Sequence, residues 1–210
     1  MSEQNILFSV SQAGAKKKQI TKLERIIYAI DTSGSTSGQI LRDERESAKM
    51  FFLLLSGAKE NSQIFEWNSM ATRLASLDQL TSAKGGTCPS CIVDFLALYK
   101  PELLVLYTDG EVDRNEGDVL SQRLVAMNLA IPIIIVFTLK SALCTPERTV
   151  KDMETMQINM SIPEGVMKVS SDVCIIVNAN GVHHLLMASG AFREIFVPMG
   201  LENTTKINQL

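Results

Sequence analysis

The feature that most constrains this chain is a set of short segments that are apolar from end to end. They read RIIYAI at 25–30, LLVLY at 103–107 and IPIIIVF at 131–137. A strand with one wet face alternates apolar and polar residues, so a strand without alternation must be covered on both faces. The intervening sequence has helical spacing. Between Gln39 and Ala58, apolar residues recur at Leu41, Ala48, Phe51, Phe52 and Leu55, and the MFFLLL end is apolar all round. Shorter helices are expected at Cys91–Leu98 and Val119–Leu129, and a pair of strands at Gln63–Trp67 and Ala71–Ala75. Strands alternating with helices predict an α/β fold. Its core is a doubly wound, mostly parallel sheet with helices on both faces.

The pattern changes after Lys140. Thr149–Met156 reads as a short helix. Met160–Val169 brackets a Pro163-Glu164-Gly165 turn, and Val173–Val177 runs into Asn178-Ala179-Asn180-Gly181. Both are hairpin signals, so the C-terminal part is expected to carry antiparallel strands. Ala191–Val197 reads as a closing helix. At 210 residues the chain suits one domain. We place it at 23–200, after a polar arm at 1–22 with one edge strand near Ile6–Val10, and before a tail at 201–210. The Lys16-Lys17-Lys18 run in the arm reads as a solvated linker.

Composition narrows the function classes. Twenty Lys plus Arg against 23 Asp plus Glu give a net charge of -3. There is no broad basic surface, which disfavours direct nucleic-acid binding. No apolar run approaches the ~18 residues that span a bilayer. The N-terminus lacks a signal-peptide core, so a cytoplasmic protein away from membranes is expected. Four cysteines do not make a disulfide scaffold. Cys91, Cys144 and Cys174 read as buried thiols, and the ten methionines as core filler.

Two of the apolar strands end in aspartate, at Asp31 and in Thr108-Asp109. In doubly wound sheets, ligands bind outside the carboxyl ends of the strands. After Asp31 come Thr32-Ser33-Gly34-Ser35-Thr36-Ser37-Gly38, so hydroxyls follow the carboxylate at alternate positions. Gly85-Gly86-Thr87 offers another hydroxyl on a pliant backbone. Carboxylate and hydroxyl oxygens are hard donors suited to Mg²⁺ or Mn²⁺, and no His or Cys accompanies them in the manner of a zinc site.

Asp31-x-Ser33-x-Ser35, Thr87 in a GGT loop and Asp109 in YTDG together resemble the metal-ion-dependent adhesion site of a von Willebrand factor A domain. The resemblance covers roughly 23–138. Within the family the chain is most similar to intracellular members such as the Ro-type RNA-protein A domains, whose GGT loop runs into a cysteine as Thr87-Cys88 does here. The resemblance implies that Asp31, Ser33, Ser35, Thr87 and Asp109 hold Mg²⁺ (or Mn²⁺). Ser33 and Ser35 would coordinate directly, Asp31 and Asp109 directly or through water, and Thr87 once a ligand is bound. It implies a protein partner whose Asp or Glu replaces a metal-bound water, and no enzymatic activity. Thr36, Asn68, Gly86, Cys88 and Glu111 form the expected partner-binding rim. The oligomeric state is open. The chain departs from the family in its hairpin-rich tail and in the Cys88-Pro89-Ser90-Cys91 that follows Thr87.

Other readings compete. A Mg²⁺-dependent phosphohydrolase also uses strand-end aspartates, but the haloacid-dehalogenase arrangement needs a second Asp where Ser33 stands. There is no GxxxxGK[ST] P-loop. A structural scaffold with a silent metal site is a third class. The CxxC could carry a lowered thiol pKa at a helix start, or be an incidental pair of thiols. The acidic stretch 109–118 resembles an EF-hand loop superficially but has Leu120 where the bidentate Glu belongs. His183-His184 alternate on an expected strand, one packed and one exposed.

Overall fold

The computed structural model describes residues 8–10, 18–20, 23–55, 62–139 and 159–196. Two short strands, β1 (Phe8–Val10) and β2 (Lys18–Ile20), pair antiparallel as a separate sheet. The main sheet has seven strands. In chain order its elements are β3 (Ile26–Asp31), α1 (Gln39–Leu55), β4 (Gln63–Trp67), β5 (Ala71–Leu74), α2 (Val93–Tyr99), β6 (Leu103–Thr108), α3 (Glu116–Ala126), β7 (Ile133–Leu139), α4 (Ser161–Met167), β8 (Val173–Ala179), β9 (Val182–Ala188) and α5 (Gly190–Phe196).

The strand order is β5-β4-β3-β6-β7-β8-β9. The five central strands are parallel, and the edge strands β5 and β9 run antiparallel to their neighbours. The apolar runs explain this placement. Every residue of β3, β6, β7 and β8 is buried, as a strand without alternation requires. Alternate residues feed two separate cores. Ile27, Ala29, Leu104, Leu106, Ile133 and Ile135 pack with Val93 and Leu96 of α2, Leu120 and Leu124 of α3, and Ile162 and Val166 of α4. Tyr28, Ile30, Val105, Tyr107, Ile134 and Val136 pack with Leu41, Ala48 and Phe51 of α1 and Phe192 of α5.

The expected strands and helices form within a few residues of their anticipated bounds, and two C-terminal expectations are corrected. Met160–Val169 is no hairpin, because Ser161–Met167 is helical. Pro163 falls in the first turn, where its missing N–H costs no intrahelical bond. Gly165 lies against Gly117 of α3, and a Cβ on Gly117 would sit 1.7 Å from the carbonyl oxygen of Ser161. The two helices therefore cross at backbone contact, which only glycine allows. The second hairpin signal holds: Asn180 and Gly181, both with positive φ (52° and 80°), join β8 to β9. The expected helix at 149–156, and Cys144, lie outside the described residues. Neither histidine is exposed. His184 is buried, and His183 is half-buried with its Nε2 2.7 Å from the Ser47 hydroxyl of α1.

Candidate metal centre

β3 leads by way of α1 to β4 on one side, while β6 lies on its other side. The chain thus leaves β3 toward one side of the sheet and β6, which is followed by β7, toward the other, and ligands of open α/β sheets bind at the carboxyl ends of such a pair of neighbours. Asp31 is the last residue of β3, and Asp109 follows the last residue of β6. Both are buried, at 0% and 3% exposure.

The turn after Asp31 is fixed by its own side chains. The Ser33 N–H donates to Asp31 Oδ1 at 2.8 Å, and the Thr108 hydroxyl of β6 donates to Oδ2 at 3.0 Å. The Thr36 hydroxyl donates to the backbone oxygens of Ser33 (2.9 Å) and Asp31 (3.3 Å). This folds the chain so that Ser33 Oγ and Ser35 Oγ lie 3.1 Å apart. Two hydroxyls thus converge beside one carboxylate, the arrangement that alternate positions in a tight turn predict.

The loop bearing Thr87 is knitted to this turn through backbone bonds. Gly34 N–H donates to Gly85 O (3.2 Å) and Lys84 N–H to Thr32 O (2.8 Å). From the β4 side, Gly86 N–H donates to Ser69 Oγ, Cys88 N–H to Asn68 O, and Asn68 Nδ2 to Thr32 Oγ1. Thr87 itself is half-buried. The third loop is shaped by Thr108 and Asp109. Gly110 N–H donates to Thr108 Oγ1, and Glu111 N–H to Asp109 Oδ1 at 3.0 Å. Asp109 Oδ2 is buried and accepts no hydrogen bond among the described residues.

The electrostatics point one way. Burial pushes the Asp31 carboxyl up from 3.8 to about 7, and the nearby Asp109 charge adds to the rise. None of the ion pairs among the described residues involves Asp31 or Asp109. Two buried carboxylates repel each other here, one followed by a turn with two paired hydroxyls and the other with an oxygen that no described residue satisfies. These donors suit a small hard cation. No three His, Cys, Asp or Glu side chains among the described residues are placed to hold a metal ion together, so such a centre must draw on hydroxyls and water.

Several expectations change. Thr36 is wholly buried and locks the turn, so it does not belong to a rim. Asn68 and Cys88 are half-buried, and Gly86 and Glu111 are exposed. The CxxC opens a short 3-10 turn, Pro89–Ile92, before α2. Burial, followed by the neighbouring Cys88, pushes the Cys91 thiol up to about 12. That fits the reading of Cys91 as a packed thiol. Asp31 and Ser33 are enclosed by protein.

The pattern also misses a residue. The buried stripe of α1 runs Ile40, Leu41, Glu44, Ser47, Ala48 and Phe51, and Glu44 in its middle is 0% exposed. The signal was its spacing, three residues after Leu41 and four before Ala48.

Comparison of the sequence with models of known protein families, and with curated proteins, finds no match. No helix among the described residues is long and apolar enough to cross a membrane.

Proposed function

We propose that this chain is a doubly wound, von Willebrand factor A-type binding module that acts through a divalent cation and catalyses no reaction. The reading rests on one observation. Two buried carboxylates at the carboxyl ends of adjacent strands, Asp31 and Asp109, repel each other with no basic partner among the described residues, and the paired Ser33 and Ser35 hydroxyls follow Asp31 in its turn. Leaving such charges uncompensated is costly, and a cation relieves the cost.

In this reading Ser33 Oγ and Ser35 Oγ coordinate Mg²⁺ or Mn²⁺ directly. Asp31 and Asp109 hold it directly or through water, and Thr87 joins when a partner binds. Mg²⁺ requires six oxygens in near-octahedral array and keeps water where protein donors are missing. An Asp or Glu of a protein partner exchanges for one such water. Gly86 and Glu111, which are exposed, and Asn68 and Cys88, which are half-buried, form in this reading the rim that meets the partner. The loops are braced by backbone bonds, so the donors are held in place before the ion arrives.

Calorimetric titration of metal-free protein with Mg²⁺ and Mn²⁺ tests the reading. We expect saturable binding at one site, lost in Ser33→Ala, and no turnover of a generic phosphomonoester. Absence of binding in the wild type, or metal-dependent turnover abolished by Asp31→Asn, overturns it.

A further inference from the structure

Glu44 is the most anomalous side chain in the fold. It is fully buried, and neither carboxyl oxygen has a hydrogen-bond partner among the described residues. Buried polar groups in native proteins are almost always satisfied, so an orphan carboxyl calls for a partner that the described residues do not supply. No ion pair among the described residues includes it. Arg45 follows it on the helix, and successive side chains there diverge by about 100°. One turn on, the Ser47 hydroxyl is engaged with His183.

Its position connects it to the candidate metal centre. α1 begins directly after the 31–38 turn, and Glu44 lies in its second turn on the buried face that packs against the sheet. Burial lifts its carboxyl far above the usual range, and the charges of Asp31 and Asp109 lift it further. The same two carboxylates, at the ends of β3 and β6, therefore act on Glu44. The Tyr107 hydroxyl, on β6 of the same core, is buried near Ser47 and Glu44.

We infer that Glu44 is an outer-sphere carboxylate of the cation site, set behind Asp31 and Asp109 and accepting hydrogen bonds from water carried by the ion. This rests on the metal-binding reading above. An indirect role follows because no three acidic, His or Cys side chains among the described residues stand at shared-ligand spacing. A carboxylate in that place orients the bound water, and its charge adds to the attraction for a divalent ion. It also accounts for a carboxyl on a stripe where an apolar residue would pack without penalty.

The test uses the full chain, Mg²⁺ as the probe, and two variants. Glu44→Gln keeps the shape and removes the charge, and Glu44→Met fills the volume with apolar atoms. Calorimetry gives Mg²⁺ affinity, and melting in chelator gives metal-free stability. Both variants should bind Mg²⁺ 10–100-fold more weakly, the usual cost of losing such a partner. Both should melt at or above the wild-type temperature without metal. A purely structural Glu44 predicts lower stability and unchanged affinity. Unchanged affinity in either folded variant overturns the inference while the metal site stands. A wild type that takes up no Mg²⁺ overturns both.

Discussion

Replacing Asp31 by asparagine isolates the cost of its buried charge. The side chain is fully enclosed and accepts hydrogen bonds from Ser33 N–H and the Thr108 hydroxyl. Asparagine has nearly the same shape. Its oxygen keeps the Ser33 bond, and its amide can donate to the Thr108 oxygen. Desolvation first, then the Asp109 charge, moves the acid from 3.8 to about 7. At about 1.4 kcal/mol per tenfold change in proton affinity, ionised Asp31 costs the metal-free fold about 4 kcal/mol. The folded acid holds its proton more tightly than the unfolded one. Stability is therefore full below the unfolded value of 3.8 and falls as pH rises through about 7. The variant lacks this component. Urea denaturation in EDTA across that window should show variant stability gaining on wild type by about 4 kcal/mol, a large share of the roughly 5–15 kcal/mol typical of a domain. With excess Mg²⁺ the wild type should recover and the variant should not respond. A difference between the two that stays flat with pH refutes the reasoning.

Other outcomes follow from the same geometry. Gly117→Ala drives a methyl group into the Ser161 backbone, so it should destabilise by about 3 kcal/mol or more, read as a lowered Tm. Ser47→Ala leaves His183 Nε2 without its 2.7 Å partner, costing about 1–2 kcal/mol in chemical denaturation. Burial first, then the neighbouring His184, lowers the His183 pKa below 6.5. Its neutral form is the one the fold favours, so stability should decline as pH falls below 6.5, and an NMR titration should give His183 a midpoint below that value. Cys91, raised to about 12, should resist alkylation at neutral pH in the native protein and react once it is unfolded, as peptide mass spectrometry can show.

Much of the centre was legible because its determinants are local. The strand-end aspartates announce themselves by ending apolar runs, and the 3.1 Å approach of Ser33 and Ser35 follows from alternate positions in one tight turn. The hairpin at Asn180-Gly181 is equally local, since positive φ at both residues is what that dipeptide supplies. Pro163-Glu164-Gly165 misled for a tertiary reason. Its glycine serves a helix crossing against Gly117, a partner 48 positions away in sequence. Thr36 looked like a rim hydroxyl because nothing in its sequence neighbourhood says that it folds inward onto the Ser33 carbonyl.

The amino-acid sequence by itself determined the α/β plan, since strands without a polar face must be covered on both faces and helical segments alternate with them along the chain. It also determined which oxygen-bearing side chains stand at the strand ends. Only the tertiary structure decided that β3 and β6 are neighbours, so that Thr108 bonds Asp31 across the gap. Only the fold decided that Glu44, a polar interruption of a helical stripe, is sealed beneath them. Charge and hydrogen-bonding capacity are properties of residues, whereas the loss of water that shifts a carboxyl far from its ordinary range arises when distant segments close over it.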